Sequence, residues 1–457
     1  MITEYQVKNF KCFTDTGALA LGRVTVLLGG NNSGKSSLLQ PLQMLAQTAA
    51  CENPNVRLAT HSPRDFGRYF EWVHGGKTEL DFGCRLVLDK IELDTTTMAN
   101  KRWPRVGWQA GLNVIFGLAG SRGKWKRPRL KSVQVTLEPL PKGLAQSIAE
   151  RLSWEFVFDR YDNVSAHING EAIDPRGLRM RNFLPSNYEW EKPVSLYVSD
   201  LAVLQLPRYF YSLDRPFREA LHVVQVDPVR PAIPRVLQSN DVDPREDCCA
   251  TTTILASLYR FKTASKPEWK KFQAYMNRWL GQELGFVKDF DLTEIDPHRE
   301  LFAIRGTDAK TGAPVNLADT GYGVAQVLPV LLQLYFSRAS QLVFIEEPEL
   351  HLNPAAQRVL FDLVHEFAAQ GRQVIVETHS EHLLLRLRRR SIEQPELRDI
   401  IRLYYVERVE GQSRLWQLPL TEDGRLDNWP AGFLNEAFEE SVELMKQLDE
   451  RETRGAE

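Results

Sequence analysis

The sequence lacks the features typical of a disulfide-stabilised, zinc-binding or membrane-spanning protein. Its five cysteines form no C-x-x-C pair, which argues against a disulfide framework and against a zinc site. No apolar run approaches the length of a membrane span, and residues 1–5 contain no basic segment followed by an apolar one. We therefore expect a soluble, cytoplasmic protein without a membrane partner.

Net charge is also nearly absent. The 57 Lys and Arg residues against 59 Asp and Glu residues leave a formal charge of −2, so nothing marks the whole chain as a polyanion binder. Any nucleic-acid contact has to be a local patch. Residues 122–131 contain one candidate, in which Trp125 is interleaved with six cations, among them Lys124, Lys126, Arg127 and Arg129. Such a cluster can hold phosphates and stack a base, but a solvated loop is the commoner explanation of a charge run.

Long helical arms are excluded by proline. Twelve prolines are scattered between residues 104 and 234, and a long coiled coil does not tolerate that many helix breakers. Strand-like pieces separated by turn residues fill the same region. We predict a globular insertion at residues 91–300.

What the sequence does contain is a phosphate-binding pattern, residues 29–36, which we call the phosphate loop. It fits G-x-x-x-x-G-K-[ST] and lies between an apolar strand and a predicted helix that runs to about Ala49. The glycines let the main chain curl around a phosphate, and the helix adds its positive end. Lys35 is expected to reach the outer phosphates and Ser36 the magnesium ion. The candidate ATP contacts are Gly29, Asn31, Asn32, Ser33, Gly34, Lys35, Ser36 and Ser37.

A second glycine-rich stretch, residues 319–323, precedes an apolar helical pattern that continues to about Phe336. We call it the signature segment. A helix start of this kind exposes backbone N–H groups that can accept an anion. Its candidate contact residues are Asp319, Thr320, Gly321 and Gly323.

Two apolar stretches that follow end in chemically active side chains. The first, residues 341–345, is followed by Glu346, a candidate magnesium ligand, and Glu347, a candidate base for the attacking water. The second, residues 372–377, leads to His379, which can bond the terminal phosphate or that water. Two further features stay open. The carboxylates at 289–296 are either a metal site or acidic turns, and the arginines at 386–390 either complement the helix dipole or contact DNA.

In this order the residues resemble the ABC-type ATPase heads of chromosome-maintenance and repair proteins, especially the OLD/RecF-like AAA ATPases of prokaryotes. The resemblance covers about residues 1–90 and 300–440. It is carried most specifically by residues 345–354 and 378–380, also by 9–13, and more weakly by 227–230 and 429–433.

The resemblance implies an α/β fold: a two-lobed ABC-type head with a phosphate loop and a globular mixed α/β insertion. The expected regions are an ATPase lobe with the phosphate loop (1–90), the insertion (91–300), a second ATPase lobe (301–415) and a C-terminal helical tail (416–457). The second lobe would carry the signature segment, both glutamates and His379.

It further implies a head-to-tail homodimer or higher homo-oligomer that clamps ATP and Mg²⁺ between the phosphate loop of one copy and the signature segment of the other. Glu347 would be the general base and His379 the switch histidine. Two departures are visible, because Asp319 and Thr320 stand where the family usually has serine and Glu346 replaces an aspartate. The family's magnesium-sensing glutamine cannot be placed from the sequence.

For biological role the sequence leaves three hypotheses. One is an ATPase that senses a trigger and regulates a separately encoded effector, such as a nuclease, in anti-phage defence. The second is a DNA-maintenance or repair ATPase acting on ends or gaps. The third is a nucleotide-held scaffold that hydrolyses little.

Overall fold

The computed structural model describes most of the N-terminal and C-terminal segments of the chain and scattered strands between them. The described residues are 1–50, 71, 73–77, 81–92, 107–118, 128–139, 152–158, 164–173, 178–181, 184–188, 195–198, 202–205, 217, 221–244, 251–339 and 341–430.

The N-terminal half is rich in strands. They are β1 (Ile2–Phe10), β2 (Phe13–Asp15), β3 (Leu19–Ala20), β4 (Val24–Leu28), β5 (Phe82–Glu92), β6 (Gly107–Leu118), β7 (Pro128–Pro139), β8 (Leu152–Phe158), β9 (Val164–Ile168), β10 (Glu171–Ile173), β11 (Leu178–Arg181), β12 (Leu184–Tyr188), β13 (Ser195–Val198) and β14 (Ala202–Gln205). One long helix, α1 (Lys35–Ala50), follows β4.

Helices and strands mix in the C-terminal half. The strands are β15 (Val223–Val226), β16 (Leu237–Gln238), β17 (Val287–Asp296), β18 (Leu301–Asp308), β19 (Pro314–Asn316), β20 (Leu342–Glu346), β21 (Gln373–Glu377), β22 (Ile401–Val409) and β23 (Gln412–Gln417). The helices are α2 (Thr251–Ala264), α3 (Lys266–Met276), α4 (Tyr322–Phe336), α5 (Pro354–Ala369), α6 (Glu381–Glu393) and α7 (Leu397–Ile400). A π-helix (Asn277–Glu283) extends α3.

The central element is a six-stranded sheet in the order β15-β20-β21-β4-β22-β23. All neighbours in it are parallel except β22 and β23, which form a hairpin. Parallel strands place their carboxyl ends at one edge, where ligands of open α/β sheets bind. The loops after β4, β20 and β21 therefore meet there. The predicted α/β fold class is confirmed.

Alternating residues of this sheet build two cores, one on each face. On β4, Val24, Val26 and Leu28 belong to the core that the C-terminal helices cover. Leu27 belongs to the other, with α1 and the antiparallel sheet. Because each buried aliphatic side chain contributes about 1.5–3 kcal/mol, both faces hold the phosphate loop's strand in place.

The second sheet is antiparallel, in the order β10-β9-β8-β7-β6-β5-β1-β2, with β3 paired to β1. Strands from the expected insertion thus extend a sheet that β1 begins, and β15 joins the central sheet. The boundaries at 90 and 300 do not coincide with sheet edges. A third sheet consists of β16 to β19, and its buried residues belong to the same core as those of α4.

Capping residues begin the helices that follow the site strands. Asn353 accepts a hydrogen bond from the Ala356 N–H (3.0 Å) ahead of α5, and Pro354 occupies the first helical turn. Ser380 accepts from the Leu383 N–H (3.0 Å) ahead of α6. Each cap satisfies a backbone N–H group in the first turn of its helix.

Three predictions meet the limits of the described residues. The region 416–430 of the expected helical tail is the end of β23 and turns, not helix, and the amphipathic segment from 434 lies outside the described residues. Lys124, Lys126 and Arg127 also lie outside them, as does the side chain of Arg129. None of the helices in the described ranges is long and apolar enough to span a membrane.

Candidate active site at the carboxyl edge of the central sheet

The phosphate loop joins β4 to α1 as the sequence predicts. Gly29 (φ 147°) and Gly34 (φ 109°) adopt conformations that side chains rarely reach, and Asn32 is left-handed (φ 60°). Lys35 is buried, with 4% of its surface exposed. Its Nζ donates to the carbonyls of Gly29 (3.0 Å) and Gly30 (2.9 Å), which places the ammonium group across the loop.

The β22–β23 hairpin, which is distant in sequence, packs against the phosphate loop and forms hydrogen bonds beside it. The Ser413 N–H donates to the Cys12 carbonyl (2.8 Å) and the Ser413 hydroxyl donates to the Ser33 carbonyl. A Cβ on Gly29 would lie 2.2 Å from the Val406 carbonyl oxygen. Strands β22 and β23 therefore fit against the loop so closely that Gly29 cannot carry a side chain.

Glu377 is a candidate site residue that sequence reasoning missed. Its oxygen Oε1 accepts a hydrogen bond from the Ser36 hydroxyl (3.1 Å) and lies 3.8 Å from Lys35 Nζ. Strand pairing explains this position, because β20 and β21 are in register with Glu346 opposite Glu377, and β21 also neighbours β4. The signal was present in the sequence, since two apolar strands each end in glutamate.

The oxygen ligands present fit a magnesium ion. Ser36 and Glu377 offer a hydroxyl and a carboxylate, the hard donors that Mg²⁺ prefers. Glu377 Oε2 is buried and has no hydrogen-bond partner among the described residues, which a cation would satisfy. Glu346, also buried, accepts from the Gln225 amide through Oε1. The described residues contain no group of three or more His, Cys, Asp or Glu that could hold a metal, so ATP phosphates and water would supply the other ligands.

Glu347 is held in an unusual backbone conformation. Its φ is 43°, in the left-handed region, and its N–H donates to the Glu377 carbonyl (2.8 Å). Such a conformation costs about 1–3 kcal/mol and is found most often at functional sites. The side chain is half-buried.

The electrostatics show that the predicted catalytic residues come together. Burial lowers the pKa of Lys35, and the nearby carboxylates of Glu377, Glu347 and Glu349 oppose that change. Burial also lowers the pKa of His379, helped by Lys35 and opposed by Glu347. His379 is therefore neutral at pH 7, and its backbone N–H donates to Glu349 Oε1 (2.6 Å).

A cavity of about 640 Å³ opens in front of the phosphate loop. Residues 32–37 and Glu377 are among the residues that line it. The remaining lining residues were not predicted and comprise Lys11, Cys12, Glu71, Val73, His74, Gly75, Gly76, Arg408 and Gly411. His74 Nδ1 lies 2.8 Å from the Lys11 carbonyl oxygen, and Val73 bridges to Phe10. The volume falls within the range of small-molecule sites.

The signature segment does not line this cavity. It lines a separate cavity of about 250 Å³ with residues of β17 to β19 and their turns. Gly321 caps α4 without a side-chain hydrogen bond, and Tyr322 is 75% exposed. Both carboxylate oxygens of Asp319 are bound by the Arg235 guanidinium group.

The contacts of the carboxylates at 289–296 and of the arginines at 386–390 favour structural roles for both groups. Asp291 pairs with Lys262 (2.6 Å), Glu294 accepts from the Tyr259 hydroxyl, and Asp296 accepts from the backbone of the turn after β17. Arg386 and Arg390 both pair with Asp362, at 2.7 and 2.8 Å.

Comparisons with known proteins agree with this geometry. Residues 1–99 match a family described as an AAA ATPase domain, and residues 225–386 match an AAA domain described as putative AbiEii toxin, Type IV TA system. These two matches support an ATPase of the AAA type. Residues 398–444 match a family described as a protein of unknown function (DUF3696). Since β22 and β23 lie within that match, it includes the hairpin that braces the phosphate loop.

The solved structures that match the chain include SMC head domains, each with a TM-score below 0.5. One is an SMC head bound to the C-winged helix domain of ScpA (11% identity, 92% of this chain and 98% of that chain, TM-score 0.41). Another is the SMC head domain from Thermotoga maritima (13%, 91% and 98%, TM-score 0.38). A third is an Smc head with an extended coiled coil, bound to the C-terminal domain of ScpA, from Pyrococcus furiosus (11%, 98% and 99%, TM-score 0.40). No curated protein matches the chain.

Proposed function

We propose that the chain hydrolyses ATP at the carboxyl edge of the central sheet. The observation that carries this proposal is the convergence of Lys35, Ser36, Glu347 and Glu377 on that edge, beside a cavity of about 640 Å³. A phosphate loop alone accounts only for nucleotide binding. The half-buried Glu347 gives the site a base that can take a proton from the attacking water.

Each residue has a distinct task in this reaction. Backbone N–H groups of residues 31–36 surround the phosphates, and Lys35 exchanges its bonds to the Gly29 and Gly30 carbonyls for bonds to the outer phosphates. Ser36, with Glu377 or Glu346, would hold Mg²⁺, and the ion would supply positive charge beside the phosphates. Glu347 takes the proton of the attacking water, and neutral His379 donates a hydrogen bond to the terminal phosphate.

Gln225 is the best candidate for the magnesium-sensing glutamine. It lies on β15 beside β20, and its Nε2 donates to the Glu346 and Asp227 carboxylates. An amide that contacts a candidate metal ligand can respond to the charge on that ligand. We assign this role to Gln225 as part of the proposal.

The separation of the signature segment from the phosphate loop supports action in trans. Within one chain, residues 319–323 line a cavity different from that of residues 32–37. A second copy placed head to tail would bring its signature segment to the ATP. Arg235 neutralises Asp319, which removes the repulsion that this carboxylate would otherwise exert on a phosphate.

The biological role that we propose is regulation of a separately encoded effector in prokaryotic defence, as in OLD/RecF-like ATPases. The match to a family described as a putative AbiEii toxin of a Type IV TA system supports a defence setting. In this role ATP binding assembles the heads, and hydrolysis resets them.

ATP turnover with and without linear duplex DNA tests this role. If the chain regulates a protein effector, we expect DNA to leave the rate unchanged, with the Glu347→Gln variant as the blank. A severalfold increase on adding DNA would contradict the regulator role and support DNA maintenance.

A further inference from the structure

Arg230 is a buried arginine, 6% exposed, at the carboxyl edge of the central sheet. It follows β15 and lies among the carboxylates of the site. Burial lowers its pKa to about 10, while Glu349, Asp227, Glu346 and Glu347 oppose that change. The guanidinium group therefore stays charged at neutral pH. A buried cation of this kind is costly unless its hydrogen bonds are specific.

The hydrogen bonds of Arg230 connect two separate parts of the ATPase. Its Nη2 donates to the Glu346 carbonyl (2.7 Å). Its Nη1 donates to the backbone carbonyl (3.1 Å) and the side-chain Oε1 (3.3 Å) of Gln326. Gln326 is buried in α4, the helix that begins directly after Gly321. One side chain thus joins α4, which we call the signature helix, to the end of β20.

The bond to the Glu346 carbonyl acts on the proposed base. That carbonyl belongs to the peptide unit that leads into Glu347, and the Glu347 N–H is fixed on its other side by the Glu377 carbonyl (2.8 Å). The left-handed φ of Glu347 (43°) is therefore maintained between two bonds. A shift of Arg230 would move this peptide unit and change the direction of the Glu347 carboxylate.

We propose that Arg230 is a positioning residue that couples the signature helix to Glu347, so that nucleotide engaged at the signature segment sets hydrolysis at the same chain's own phosphate loop. The inference rests on the proposed function, because it needs Glu347 as the base and the signature segment as a contact in trans. In a head-to-tail dimer each ATP then influences the site that holds the other. Turnover should be cooperative in ATP.

Steady-state turnover against ATP concentration tests this coupling in Arg230→Lys. Lysine keeps the charge but lacks the planar fork that reaches Glu346 and Gln326 together. We expect kcat to fall by about tenfold, KM to change by less than about threefold, and the Hill coefficient to drop from above one towards one. Gln326→Leu, which removes only the side-chain acceptor, should shift the Hill coefficient in the same direction.

Arg372→Lys is the matched control. Arg372 is half-buried and its Nη1 also donates to a backbone carbonyl of α4, that of Leu334 (2.8 Å), near the other end of the helix. We expect this variant to keep the wild-type kcat and Hill coefficient. Equal losses in both arginine variants would show a general loosening of α4 and overturn the coupling.

Two further outcomes separate this inference from the proposed function. If Glu347→Gln abolishes turnover but Arg230→Lys and Gln326→Leu behave as wild type, or if wild-type turnover is not cooperative, the coupling is overturned and hydrolysis stands. If Glu347→Gln hydrolyses ATP normally, the proposed function fails first.

Discussion

At the residue scale, the proposed chemistry depends on charged side chains that are buried beside the phosphate loop. Burial lowers the pKa of Lys35 and raises those of Glu377 and Glu349, so each group is pushed towards its neutral form. The attraction between Lys35 and Glu377 does not fully offset the loss of hydration. A site of this kind is costly for stability and suited to binding a charged ligand.

Glu377→Gln should reduce the pH dependence of stability. The pKa of Glu377 is raised on folding, so the native state binds more protons than the unfolded state between the two pKa values, and stability falls as pH rises through that window. Thermal unfolding followed upwards from pH 4.5, the ordinary pKa of a glutamate, should show a shallower decline in the variant than in wild type.

Glu349→Gln provides the comparison, because the pKa of Glu349 is also raised by burial. Each variant should remove part of the decline, and the double variant more than either. A Glu377→Gln profile parallel to that of wild type would show that Glu377 carries no raised pKa in the folded protein.

The sequence allowed some of these residues to be predicted and not others. Lys35 and Ser36 are found from local spacing alone, because glycine, lysine and hydroxyl positions in one turn define the phosphate loop. Glu377 required knowledge of strand order, since it approaches Ser36 only through the neighbouring positions of β4 and β21. Arg230 follows no periodic pattern, and its partners lie 96 and 116 residues away.

At the element scale, the phosphate loop packs closely against the β22–β23 hairpin. This packing decides which glycines of the loop can carry a side chain. Gly34 has φ 109°, and an added Cβ would lie 2.6 Å from Cys12 Sγ and 2.7 Å from Ser413 Oγ. Gly30, four residues earlier in the same loop, has no atom within 4 Å of an added Cβ. The loop therefore tolerates a methyl group at one glycine and not at the other.

Gly34→Ala should disrupt the loop, with Gly30→Ala as its matched control. Strain and overpacking cost about 1–3 kcal/mol each, so we expect Gly34→Ala to lose measurable ATP binding and to unfold at a lower temperature. Gly30→Ala should bind ATP within about threefold of wild type and keep its unfolding temperature. Equal effects of the two substitutions in a fluorescent-nucleotide titration would contradict the close packing of Gly34 against Cys12 and Ser413.

Element boundaries were predicted well where the apolar pattern was strong. The helix after the phosphate loop was expected to end near Ala49 and ends at Ala50, and α4 ends at Phe336 as expected. The hairpin's packing on the loop was not predictable, because it joins residues 33 and 413 through tertiary structure alone.

At the scale of the whole molecule, the ATPase is assembled from distant segments. The central sheet takes strands from residues 24–28, 223–226, 342–346, 373–377 and 401–417. Composition and turn signals predicted an insertion at 91–300, but they carry no information about which strands pair. Strands β6 to β10 of that region instead extend the sheet begun by β1, and β15 joins the central sheet.

Self-association in ATP should follow from a signature segment that acts in trans. We expect the Glu347→Gln variant, which should bind ATP without cleaving it, to double its molar mass in light scattering when ATP and magnesium are added. The Lys35→Ala variant should stay at its starting mass under the same conditions. A Glu347→Gln mass that does not respond to ATP would contradict the head-to-tail assembly.

The central claim, that Glu347 is the base for ATP hydrolysis at this sheet edge, is tested most directly by phosphate release from Glu347→Gln with ATP affinity measured in parallel. The account predicts that kcat falls by about 10²–10⁴-fold while the affinity for ATP stays close to that of wild type. Turnover at the wild-type rate in this variant, with ATP bound, would contradict the assignment of Glu347.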